Sequence, residues 1–329
     1  MFFKKFKSFI AIVIIATFIM PQSILAYSKY IIAGGENIGL QINNDGIIIA
    51  GFYKVGDIYP GNEANLAKGD IIVKVDGNEV KTIDDFITSI KNSNQKYLKL
   101  DYLRNNKNET TTLNLINENG VIKTGLYVKD MVSGIGTLTY IDPNTKIYGA
   151  LGHEVLESTT GTMIDVKDGK IYNSSVTGIE KSVRGEPGAK NASTNSNDVY
   201  GNIKENTISG IFGTYTRQIN QNKLYKVADY DEIEIGEAKI ITVLDQNLKQ
   251  EYNIKILKVN DEKNSNKNIL FEITDEKLLE KTGGIIQGMS GSPIIQGVNI
   301  IGAVTNVVVN DPKKGYGILI TSMLEEGEN

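Results

Sequence analysis

Two short stretches hold residue types that could do chemistry together. In Gly288-Met289-Ser290-Gly291-Ser292-Pro293 a serine stands between glycines, just ahead of an apolar run. Glycine reaches backbone angles closed to other residues, so such a serine can sit on a tight turn with its hydroxyl presented. The same turn can aim the amides of Gly288 and Ser290 at one point, which is what a developing oxyanion requires. A serine hydroxyl needs a base to become nucleophilic at neutral pH, and histidine is the usual base because it titrates near that range. The chain has a single histidine, His153, within Tyr148-Gly149-Ala150-Leu151-Gly152-His153-Glu154. If a Ser-His pair operates, His153 is its base and the reaction is acyl transfer. Taken alone, the serine stretch also reads as a plain tight turn between strands, and a lone histidine as an ordinary surface or core residue. It is the pairing that favours chemistry. The histidine precedes the serine, whereas an α/β-hydrolase would place its nucleophile first.

Composition narrows the alternatives. The 329 residues are 40% apolar, enough for about two domains with real cores. A formal net charge of -4 and a pI near 5.4 argue against a nucleic-acid partner. With no cysteine and one histidine, thiol nucleophiles, disulfides and thiolate or His-rich metal sites are ruled out; no metal or cofactor is expected. Residues 1–26 carry Lys4, Lys5 and Lys7, then an uncharged apolar run from Phe9 to Met20, Pro21, and Ser23-Ile24-Leu25-Ala26. This reads as a secretory signal or a short N-terminal membrane anchor.

The elements that must position the pair fall into two regions. From 27 to 116 short strands and turns surround one helix. Thr82 is placed as its N-cap, Ile83, Phe86, Ile87 and Ile90 share one face, and Asp84 and Asp85 occupy the first turn. The run Leu66 to Val80, with Lys68-Gly69-Asp70 and Asp76-Gly77-Asn78, resembles the core signature of PDZ domains. By that resemblance Ile38, Gly39 and Leu40 are placed like a carboxylate-binding loop, and Gln41 and Ile42 like the strand edge to which a peptide adds. From 117 to 329 strand-like segments recur between Gly, Asp and Asn turns, among them Ile135 to Ile141, Thr162 to Val166, Tyr252 to Val259 and Ile300 to Val309, which argues for an all-β barrel or sandwich. The Gly-, Ser-, Asn- and Lys-rich stretch from Lys181 to Asn202 reads as a surface loop.

The serine turn resembles the Gly-Asp-Ser-Gly-Gly-Pro motif of chymotrypsin-like proteases, with Met289 and Ser292 as departures. Together with Gly149 to His153, Ile273-Thr274-Asp275, Gly283 to Ile294, Gly302 to Thr305 and Asn310-Asp311-Pro312, nearly the whole chain is similar to the stage IV sporulation protein B peptidases. The resemblance implies a mainly β protein: a PDZ domain followed by a chymotrypsin-like double β-barrel with serine endopeptidase activity. It implies His153, Asp275 and Ser290 as the catalytic set, Asp275 orienting the imidazole. Asp165, Asp198, Asp229 and Asp231 are competitors for that role, and Asp275 could instead cap a turn. Glu154 stands where the family would be expected to carry an apolar residue. The resemblance further implies an exported signalling protease of endospore formation, acting between the two forespore membranes on a membrane-anchored regulator of an intramembrane protease, processing itself near its N-terminus, and binding peptide tails at the PDZ domain. A catalytically inactive PDZ and protease-like scaffold is the competing reading.

Overall fold

Alternation decides the C-terminal half. In the strand Lys249–Val259 the side chains of Tyr252, Ile254 and Ile256 are buried while their neighbours are largely exposed, the period-2 pattern of a strand with one wet face. Six such strands close on themselves. Gly236–Val243 pairs with Lys249–Val259, which pairs with Ile269–Ile273, then Lys314–Leu319, Asn299–Val307 and Pro293–Gln296, and the last returns to Gly236–Val243. Ile240, Ile254, Ile256, Phe271, Ile294, Ile301 and Val304 fill the interior. Burying each such side chain stabilises the fold by roughly 1.5–3 kcal/mol. The structure, a computed structural model, describes residues 27–93, 96–105, 107–219 and 223–328. The segment 1–26 read as an export signal lies outside the described residues.

A second barrel is assembled from more distant segments. Residues 37–43 of the strand Asn37–Phe52 pair on one side with 131–137 of Leu126–Ile141 and on the other with 168–173 of Asp168–Glu180. Leu126–Ile141 continues to Ile147–Ala150, and that strand to Gly210–Thr214. Ala189–Ile203 closes the ring, pairing with Asp168–Glu180 and bridging Gly201 to Tyr215. Ile38, Leu40, Ile42, Leu138, Tyr148 and Ile171 fill this core. The helix Ile320–Gly327 lays Ile320, Met323 and Leu324 against Tyr140 and Phe212, joining the barrels in one apolar cluster.

The PDZ body is inserted into the first barrel. It uses residues 47–52, the helix Pro60–Glu63, the strands Ile71–Val75, Tyr97–Arg104 and Lys107–Asn114, and the helix Ile83–Asn92. Ile47, Ile72, Phe86, Leu98, Leu100 and Leu113 form its core. Thr82 caps the helix as expected. Its hydroxyl accepts from Asp85 N (3.1 Å), and the Asp85 carboxylate accepts from Thr82 N (3.0 Å).

Four expectations change here. The segment holding Ile38, Gly39, Leu40, Gln41 and Ile42 is a barrel strand and not a peptide-receiving edge: Gln41 faces Ser133 on one side and Lys170 on the other, and Ile42 faces Val132 and Gly169. Both edges are occupied, and Ile38, Leu40 and Ile42 are buried in the barrel core. The PDZ body is therefore not a separate leading domain ending near residue 116. It leaves the barrel after residue 43 and returns through Leu126–Ile141, whose residues 126–129 pair with 48–52. Lys181 to Asn202 is largely strand, because barrel closure supplies ladder partners that override its weak strand propensity. Thr162 to Val166, in contrast, makes only an isolated bridge between Met163 and Leu156.

Candidate active site

His153 and Ser290 line the same cavity, about 550 Å³ in volume, open between the two barrels. The first barrel contributes residues such as Leu40, Ser133 and Ile135, the second Ile286, Gly288 and Thr305. Two glycines let the loops converge. A Cβ on Gly291 would lie 2.1 Å from Thr137 O and 2.5 Å from Leu151 N, and one on Gly136 would lie 2.0 Å from Leu151 Cδ2. Without side chains at both positions, the turn carrying Ser290 seats directly against the turn carrying His153. Leu151 itself adopts φ 71°, a strained angle for a bulky residue, followed by Gly152 at φ 73°.

Thr137 is the fastener. Its N–H donates to Ser290 O (3.0 Å), its hydroxyl to Gly288 O (2.8 Å), and its carbonyl accepts from Leu151 N (3.3 Å). One residue thus holds the histidine turn and both ends of the oxyanion turn. Lys190 completes the support. Its backbone N–H donates to Gln287 O (3.0 Å), and its aliphatic stem lies 3.1 Å from where a Gly288 Cβ would be.

This bonding aims the oxyanion amides. A trans peptide points its C=O and N–H in opposite directions. Gln287 O is held by Lys190 N, so the Gly288 N–H faces away from that strand, toward the cavity that Gly288 lines. Met289 O is held by Ser292 N (2.9 Å), which turns the Ser290 N–H the opposite way. Met289 N donates to Ile286 O (3.1 Å), whereas Gly288 N and Ser290 N find no backbone acceptor among the described residues. Two unspent donors flanking the serine are the arrangement a developing oxyanion requires.

The His153 ring is oriented by Nδ1, which lies 2.7 Å from Glu154 O. A carbonyl only accepts, so Nδ1 carries the proton and Nε2 keeps its lone pair. That is the tautomer a general base needs. Ser290 Oγ donates to Thr305 O (2.8 Å) and not to the imidazole. The hydroxyl is therefore committed to a backbone acceptor and must leave it before the base can take its proton.

Asp275 is placed elsewhere. It is the N-cap of the helix Glu276–Thr282, one carboxylate oxygen accepting from Leu278 N (3.0 Å) and the other from Asn253 N (3.3 Å). It does not line the cavity, and the acceptor at His153 Nδ1 is the Glu154 carbonyl. Among the competing carboxylates, Asp198 accepts from Asn173 and pairs with Arg217 (3.3 Å), while Asp229 begins the short helix Tyr230–Glu232. Neither these two nor Asp165 and Asp231 line the cavity. Thr137 and Lys190 were not legible beforehand: the first is one more residue in an apolar strand, the second sits in a polar stretch that reads as loop. Glu154, conspicuous in the sequence, lines the cavity with Oε2 buried and unpaired.

Two closed β-barrels, a histidine and a serine facing one cavity between them, and two free amides beside the serine define a chymotrypsin-like serine peptidase. Residues 120–324 match the SpoIVB peptidase S55 family model, and residues 37–115 match a PDZ domain model. The chain belongs to the SpoIVB peptidase S55 family and acts on protein or peptide substrates. A comparison with curated protein sequences finds no match. Among solved structures the chain is similar to the Rv3671c protease in its inactive form, at 10% identity and a TM-score of 0.33 over 59% of this chain and 82% of that one. It is also similar to the inactive form of a serine-to-alanine mutant of Rv3671c from M. tuberculosis H37Rv, at 11% identity and a TM-score of 0.30 over 59% and 81%. The assignment rests on the family match.

Proposed function

We propose that this chain is an exported signalling protease of endospore formation. In this reading Ser290 is the nucleophile, His153 the general base, and the Gly288 and Ser290 amides the oxyanion hole. Its substrate is a membrane-anchored regulator of an intramembrane protease, cut in the space between the forespore membranes so that a late sigma factor is activated, and it trims its own N-terminal region. The family assignment supports the biology, and the positive, apolar N-terminal sequence supports export. The observation that carries the chemistry is that His153, Gly288 and Ser290 line one cavity, with His153 Nδ1 against a carbonyl and the Gly288 and Ser290 amides without a backbone acceptor among the described residues.

In the reaction, Ser290 Oγ leaves Thr305 O, gives its proton to His153 Nε2 and attacks the scissile carbonyl. The oxyanion is met by the two amides, and the imidazolium returns the proton to the leaving amine. The Glu154 carbonyl holds Nδ1–H throughout. Residues 27–329 and their Ser290→Ala variant provide the test. The parent is expected to react with a serine-directed phosphonate and to shorten at its N-terminus, and the variant to do neither. Equal processing in both would refute self-cleavage. A parent that resists the phosphonate would leave the inactive scaffold as the better account.

A further inference from the structure

The strand Leu126–Ile141 belongs to both domains. Residues 126–129 pair with 48–52 in the PDZ body, and 131–137 pair with 37–43 in the barrel. All of this pairing is on one side. Among the described residues no strand pairs with 126–137 on the other side; the first neighbour there is Ile147–Ala150, from Leu138 onward. Unpaired backbone along a strand edge is a template for another chain.

Parity says which groups face that free edge. Thr137 directs its N–H to Ser290 O and its C=O to Leu151 N, both away from residues 37–43. The register from Asn37↔Thr137 to Asn43↔Met131 is unbroken, and in an antiparallel ladder alternate residues point the same way. Ile135, Ser133 and Met131 therefore also present N–H and C=O outward. Ser133 and Met131 are exposed, and Ser133, Gly134 and Ile135 line the cavity that holds Ser290. From Met131 the strand runs on to Asp130, whose carboxylate accepts from Ile83 N (2.8 Å) at the start of the helix Ile83–Asn92. One edge thus leads, over about 20 Å, from the catalytic serine to the PDZ helix.

We propose that an extended segment of the protein substrate adds to this edge as a β-strand, so that the catalytic cleft and the PDZ body hold one continuous stretch of it. Antiparallel addition sets the direction. The strand runs from the PDZ body, past the PDZ helix at Asp130, toward Ser290 at residue 137, so the added chain runs from Ser290 toward the PDZ helix. The residues after the scissile bond lie along Ile135, Ser133 and Met131 and approach the helix Ile83–Asn92. The PDZ body then reads sequence a few residues beyond the cut and selects unstructured segments long enough to span both sites. This rests on the peptidase reading above.

The probe is β-casein, an unstructured protein, from which a cleaved bond is mapped. Peptides spanning that bond are then made to end two or eight residues after it. The eight-residue peptide is expected to show KM about tenfold lower, from two or three added strand hydrogen bonds. Met131→Pro removes one outward N–H without touching a bond to residues 37–43, and is expected to erase most of that difference. N-methylating alternate amides of the long peptide should erase it too, independently of how the variant folds. Equal KM for the two peptides on the parent enzyme, or a long-peptide advantage that survives both N-methylation and Met131→Pro, overturns the proposal. Phosphonate labelling of the parent separates the two levels: no labelling ends the peptidase reading, whereas labelling with equal KM values ends only the shared edge.

Discussion

Lys190 offers the sharpest test of how the oxyanion turn is supported. Its side chain is buried beneath Gly288, with Nζ 3.0 Å from Thr242 Oγ1 and 3.5 Å from Thr137 Oγ1 and no carboxylate partner among the described residues. Burial pushes the amine down to about 7, against about 10.4 in an unfolded chain. Between those values the unfolded chain holds a proton that the folded chain lacks, so stability rises with pH across the window, by up to ~1.4 kcal/mol per unit. Below pH 7 both states are protonated and the folded state carries the full cost of a buried charge. Lys190→Met keeps the aliphatic stem against Gly288 and removes the titrating group, at the loss of a hydrogen bond to Thr242 worth ~1 kcal/mol at any pH. The variant is expected to be more stable than the parent by about 3 kcal/mol near pH 7 and about equal near pH 9.5. Urea unfolding of both proteins across that range measures the difference, and titrations elsewhere in the chain cancel. A pH-independent offset between the two curves would refute the reasoning, because it would mean that Lys190 keeps an ordinary pKa in the folded state.

Further outcomes follow from the same contacts. Gly288 sits at φ +91° with Lys190 Cδ only 3.1 Å from the place of a Cβ, so Gly288→Ala should twist its amide from the oxyanion position and lower kcat by roughly 10²–10³, read from steady-state peptide cleavage. Asp275→Ala removes the acceptor for Leu278 N and should cost about 1 kcal/mol of stability, measured by urea unfolding; no loss would show that the cap is dispensable. Asp70, whose side chain is 2% exposed, receives two bonds from Arg104, at 2.7 and 2.5 Å. Asp70→Ala leaves the guanidinium with only Asn65 O (2.9 Å) and Glu109 (3.7 Å) and removes the acceptor for Ala67 N; it should destabilise the PDZ body by roughly 2–3 kcal/mol, seen as earlier loss of amide protection there than in the barrels.

The sequence alone singled out the candidate pair and most of the element types; Lys181 to Asn202, read as loop, is largely strand, and Thr162 to Val166, read as strand, makes only one bridge. One histidine leaves a single candidate base, a serine set between Gly288 and Gly291 stands out as its partner, and a glycine between two close backbones is a local requirement that shows as a letter. The helix Ile83–Asn92 was readable because its cap and its apolar period are local too. What tertiary structure decided is every role that depends on a partner remote in the chain. Residues 37–43 look like a PDZ edge from their own neighbours, yet two strands from beyond residue 130 occupy both of their sides. Asp275 lies close to Ser290 in sequence, but its oxygens are taken by Leu278 and Asn253 amides. Thr137 and Lys190 carry no signal of their type, because what makes them matter is a carbonyl about 100 or more residues away at residues 287–290. Hydrogen bonds and burial are pair properties, and a strand's second neighbour is chosen only when the barrel closes.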